Sequence, residues 1–102
     1  MSKSLRVALS DDHAVALADL FRLLGDASRL RIVVACLKKP LAVSDIAAKL
    51  GLSVSLVSHH LRLLKGARLV RAERQGKQVF YGADDDHVRR MIGDMVIHVG
   101  EH

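Results

Sequence analysis

The sequence predicts a mainly α-helical domain with one small β-hairpin, a winged helix-turn-helix. Three observations predict it. Apolar residues recur at helical spacing through four segments, change to near-alternation after Gly66, then return to helical spacing. Two of the helices are short and are joined through Gly51, Leu52 and Ser53, as a helix-turn-helix requires. Finally, 102 residues, half of them hydrophobic, provide one modest core and no room for a second domain.

Residues 1–11 mix charge with short apolar stretches and are expected to be a flexible arm ahead of a single domain over 12–102. In the first helix Val15, Leu17, Ala18, Leu20, Phe21 and Leu24 recur, with Asp11 or Asp12 as N-cap and Gly25 as the stop. Asp26 caps the second, DASRLRIVVACLKK. Its apolar face holds Leu30, Ile32, Val33, Cys36 and Leu37, and it should end at Lys39-Pro40, because the residue before proline is pushed out of the helical region. The third, VSDIAAKLG, takes Ser44 as its cap, turns Ile46, Ala47 and Leu50 inward and stops at Gly51. The fourth, VSLVSHHLRLLKGA, carries an inward stripe of Val57, Leu61 and Leu64. LVRAER and QVFYG then read as strands turned at QGK, with Val70, Val79 and Tyr81 toward the core. Asp84, Asp85 and Asp86 offer a cap and a favourable charge to the closing helix, HVRRMIGDMVIHVGEH, whose apolar side is Val88, Met91, Ile92, Met95 and Val99. The expected order is α-α-α-α-β-β-α, with a homodimer formed through the first and last helices.

Lys and Arg number 16 against 11 Asp and Glu, a formal net charge of +5, which favours a polyanionic partner. Aromatics make up only 3%, which argues against binding single strands by base stacking. One cysteine excludes an internal disulfide, a CxxC pair and a thiolate zinc cage. No apolar run reaches the length of a membrane span, and Met1 to Ser10 lacks the apolar stretch of a signal peptide. A cytoplasmic protein with no membrane partner is therefore expected.

In a winged helix-turn-helix the second helix of the motif enters the major groove, and the wing touches backbone or minor groove. Ser53, Ser55, Ser58 and His59 are small or hydrogen-bonding residues suited to base edges, and Leu56 suits a thymine methyl. Arg62 and Lys65 suit phosphates, as do Arg74, Gln75 and Lys77 around Gly76 in the wing. Taken singly, these are ordinary caps and solvated charges. Together with the element order they point to double-stranded operator DNA.

The last helix holds a second constellation, Asp85-x-His87 followed by His98-x-x-Glu101. Imidazoles and carboxylates of this kind bind zinc, cobalt or nickel. His87 and His98 share a helix face but lie about 16 Å apart along its axis, so one straight helix cannot close all four around one ion. Two copies packed antiparallel would place Asp85 and His87 of each opposite His98 and Glu101 of the other, giving two symmetric sites per dimer. Both imidazoles must be neutral to ligate, so zinc affinity is expected to fall as the pH drops below about 6.5. The bland alternative is that these residues are helix caps and surface groups. His13 and His102 fit no comparable pair and are expected to be exposed. His60 should pack at the edge of its helix, and Cys36 should be buried and unreactive.

The segments LGDASRLRIV, LSVSLVSHHLRLLKGARLV and AERQGKQVFY, with the terminal D-x-H…H-x-x-E, resemble the ArsR/SmtB family of small dimeric winged-helix repressors. The resemblance runs from about Ala16 to the end. It implies an interhelical regulatory Zn2+ site, with Co2+ or Ni2+ as alternatives, held by Asp85, His87, His98 and Glu101. It further implies that His98 reaches a backbone carbonyl near Arg68 and so transmits metal occupancy to the reading helix. The implied function is repression of a metal efflux or sequestration gene, released by metal. Members that sense arsenic, cadmium or lead carry cysteines in the third helix or arm. VSDIAAKL has none, which argues against soft-metal sensing. A regulator of the same family that ignores metal is the alternative. An enzyme is not expected: four protein ligands would close the open position that a hydrolytic zinc needs, and no catalytic residues or small-molecule substrate are foreseen.

Overall fold

The structure, a computed structural model, describes residues 8–101. Most of the expected arm, and His102, lie outside the described residues. The first helix, α1, spans Asp11–Leu24 and is capped by Ser10, whose hydroxyl accepts the His13 N–H at 3.1 Å. The anticipated caps Asp11 and Asp12 instead occupy its first turn, where negative charge suits the helix dipole. Helix α2 (Ala27–Ala35) is capped as expected by Asp26, which accepts the Arg29 N–H at 3.0 Å. It ends at Ala35, short of the expected stop at Lys39-Pro40, and bends over 36–39 lead into an element the sequence did not reveal.

That element is β1, Leu41–Ala42, followed by α3 (Val43–Leu50), α4 (Val54–Gly66), β2 (Val70–Gln75), β3 (Gln78–Ala83) and α5 (Asp86–Gly100). The observed order is therefore α-α-β-α-α-β-β-α. β1 pairs antiparallel with β3, Leu41 opposite Tyr81 and Ala42 opposite Phe80, in a sheet of order β1-β3-β2. Gly82 permits the approach, since a Cβ there would lie 3.3 Å from Pro40 Cγ. Ala42 leads directly from strand to helix, so α3 has no side-chain cap and Ser44 lies inside its first turn, contrary to expectation.

The core gathers Leu24 from α1, Ile32 and Val33 from α2 with Cys36 just after it, Ile46 and Ala47 from α3, Val57, Leu61 and Leu64 from α4, Leu69 and Val70 from the start of the wing, and Ile92 from α5. These residues seat α4 on its inner face and leave its outer face to solvent. The two ends of the domain depart from expectation. Val15, Leu17 and Phe21 of α1 and Met95 and Val99 of α5 are exposed rather than inward.

Candidate DNA interface and metal-ligand cluster

Ser53 caps α4, its hydroxyl accepting the Leu56 N–H at 3.1 Å, and so fixes the first turn of the helix. Beyond the cap, Ser55, Leu56, His59, Arg62 and Lys65 are exposed and Ser58 is half-buried. His60, expected at the edge of its helix, is buried, its ring 5.9 Å from that of His59. Helix α4 closes in a six-to-one turn. Leu69 N–H donates to the Leu64 carbonyl at 2.9 Å and Arg68 N–H to that of Lys65 at 3.0 Å. Arg68 takes the left-handed position of this turn, φ 61°, which glycine usually holds. Buried Leu69 and Val70 then anchor β2. The wing turns at Gly76, φ 65°, and carries Arg74, Gln75 and Lys77 exposed around its tip. Every residue expected at the DNA surface thus lies on α4 or the wing, at least partly exposed.

Asp85 is the N-cap of α5. Its Oδ1 accepts the Val88 N–H at 3.0 Å, while its Oδ2 lies 3.6 Å from His87 Nδ1. The bond from Val88 holds the Asp85 carboxyl below the usual carboxylate range, with a smaller contribution from His87. The His87 side chain is 97% exposed. His98 and Glu101 are also exposed, but three turns further along. The structure therefore brings Asp85 to His87 and leaves His98 and Glu101 apart from them. Among the described residues, no three His, Cys, Asp or Glu side chains of one chain converge to hold a metal. Cys36 is no candidate ligand: its thiol is buried against the Ile32 carbonyl and pushed up to about 11 by desolvation. Sequence reasoning missed the cleft between α1, the end of α4 and the start of α5, which His13, Leu63, Arg68, Asp85 and His87 help to line. Its walls come from three distant segments, so no local pattern announces it.

Residues 26–72, from the α2 cap into β2, match the family described as bacterial regulatory protein, arsR family. The chain is 40% identical over 93 residues to the transcriptional repressor SmtB homolog of Synechocystis sp., covering 91% of this chain and 70% of that protein. The chain belongs to the ArsR/SmtB family. Solved structures superpose on it. One is the homodimeric winged helix-turn-helix DNA-binding domain of Mb0332 from Mycobacterium bovis, described as a possible ArsR-family transcriptional regulator. It has a TM-score of 0.82 and 27% identity, over 94% of this chain and 92% of that one. Another is the cadmium metal-sensor CMTR of Mycobacterium tuberculosis, with a TM-score of 0.70 and 45% identity over 78% of this chain and 82% of that one. As a member of the ArsR/SmtB family, this protein is a DNA-binding transcriptional repressor and not an enzyme. Among the described residues, no helix is long and apolar enough to cross a membrane.

Proposed function

We propose that this repressor is a zinc-responsive homodimer that holds operator DNA when metal-free and lets go when its α5 ligands engage zinc. One observation carries the reading. Asp85 and His87 stand side by side at the exposed start of α5, while His98 and Glu101 lie on the same helix too far along to close around the same ion. Two copies complete the set, each offering one pair to the other. A bound zinc ion would supply four fixed bonds linking the two copies. The imidazole and carboxylate donors fit zinc, with cobalt or nickel as alternatives; the one thiol, Cys36, is locked in the core and unsuited to a soft metal.

The exposed apolar residues of α1 and α5 offer a surface for the second copy, and the homodimeric Mycobacterium bovis relative supports that use. Arg68 lines the same cleft as Asp85 and His87, so an imidazole brought there from a second copy comes beside the turn that ends α4. This favours the His98-to-carbonyl route from ligand engagement to the reading helix. In linkage terms, the paired α5 helices take one relative placement when ligated, and DNA loses affinity to the extent that it prefers another. A coupling of about 3 kcal/mol gives more than a hundredfold. The repressed gene is one for metal efflux or sequestration.

Anisotropy of a labelled duplex from the gene's own upstream region, at one fixed salt concentration, tests the reading. Tight metal-free binding should weaken a hundredfold or more in excess zinc. Binding indifferent to zinc would reduce the four ligands to caps and surface groups. His98→Ala should abolish the zinc response while leaving metal-free binding intact.

A further inference from the structure

The two leading turns of α4, Val54 to His60, contain no lysine, arginine, asparagine, glutamine or carboxylate; its first cation is Arg62. Those are the side chains that single out one base in the major groove. Arginine and lysine read guanine, asparagine and glutamine read adenine, and carboxylates read cytosine. What the leading turns offer instead is serine hydroxyls, which both donate and accept and so discriminate little, the His59 ring, and two aliphatic side chains. Val54 is 52% exposed and Leu56 40% exposed, although Val57 beside them is wholly buried. The Ser53 cap fixes the turn that bears both, and Val54 is further stiffened by its branched Cβ. The one apolar group a base pair shows in the major groove is the thymine C5 methyl.

We propose that Val54 and Leu56 are specificity-determining residues that read thymine through its C5 methyl group, so that base discrimination by this chain rests on thymine rather than guanine. The inference rests on α4 being the helix that enters the groove. Exchanging thymine for uracil removes only the methyl, leaves every hydrogen-bonding group in place, and exposes the facing side chain to water. The burial lost corresponds to about fourfold in affinity per methyl.

The test begins by selecting duplexes from a random-sequence library with the full chain. The winning duplex is then remade with deoxyuridine for thymidine, one position at a time, and affinities are measured at constant salt. Two positions per half-site should each lose about fourfold. Leu56→Ala should erase the loss at one of them and Val54→Ala at the other, each variant binding the parent duplex correspondingly less tightly. Uracil tolerated at every position would overturn the proposal, and that scan needs no variant. So would uracil penalties that persist unchanged in both variants, which would trace the methyl effect to duplex stiffness. Enrichment of no duplex at all would remove the assignment of α4 as the reading helix, and the inference with it.

Discussion

In the proposed reading Asp85 performs two tasks with its two carboxylate oxygens. Oδ1 caps α5 through the Val88 N–H, which leaves Oδ2, on the His87 side, for the metal. The tasks separate by substitution. Asp85→Ala should lower the melting temperature through loss of the cap, whereas Asp85→Asn, whose side-chain oxygen still accepts, should change it little. Both should lose tight zinc binding in a competition titration. An asparagine variant that binds zinc as before would show Asp85 to be a cap alone. His60 sets a second residue-scale expectation. Its Nδ1 is buried with no hydrogen-bond partner among the described residues. Burial, reinforced by Arg29 and opposed by Asp26, pushes its pKa below the ordinary 6.5. The unfolded chain therefore binds the proton more readily, so stability is whole above about 6.5 and declines as pH falls below it. Urea melts at pH 7.5 and 5.5 should show that decline, and His60→Leu should flatten it. Asp26 and Asp85, held low by backbone N–H bonds, act in the same direction but only at more acid pH, as their carboxylates protonate.

The joint between α4 and the wing is set by Arg68. A non-glycine residue in the left-handed region costs about 1–2 kcal/mol, partly offset in a glycine variant by the freer unfolded chain. Arg68→Gly should thus stabilise the fold by roughly 0.5–1 kcal/mol and raise the melting temperature by a few degrees in a thermal scan. At the wing tip, Arg74→Ala and Lys77→Ala should each lower the salt slope of DNA binding by about one, equally for all sequences. Elements with a strong period were legible in the sequence. All five helices and the hairpin follow from apolar spacing, and Asp26 and Ser53 are caps that their neighbours make plain. β1 was not legible, because two residues cannot display alternation and its partner lies some forty positions away. Ser44 resembled a cap only while that strand was hidden. Arg68 occupies a turn position that sequence rules assign to glycine, so its residue type does not mark it. The proximity of Asp85 to His87 could be read from their spacing. The partners of His98 and Glu101 in the proposed site could not, because in that reading they lie on a second chain.

At the scale of the whole molecule, the core lies between α2, α3, α4 and the sheet, while α1 and the far half of α5 present Val15, Phe21, Met95, Ile97 and Val99 to solvent. Apolar side chains concentrated on two helices suit burial against a like surface. Phe21→Glu together with Val99→Glu should shift the proposed dimer to monomer in sedimentation without unfolding it, and zinc binding should weaken in step. A monomer that still binds zinc tightly would separate the ligands from the interface.

The short strand β1 bears on how the proposed dimer would let go of DNA. Its pairing with β3 ties the base of the wing to the residue from which α3 starts, and α3 and α4 share one core. Helix α4 and the wing are therefore tied into one unit, a single head. What the proposed dimer would then alter is the phase between two such heads along the duplex. Half-sites about 34–36 Å apart put both heads on one side of the DNA. An offset of one base pair, about 3.4 Å, swings the second head about 34° around the helix and out of line with its groove.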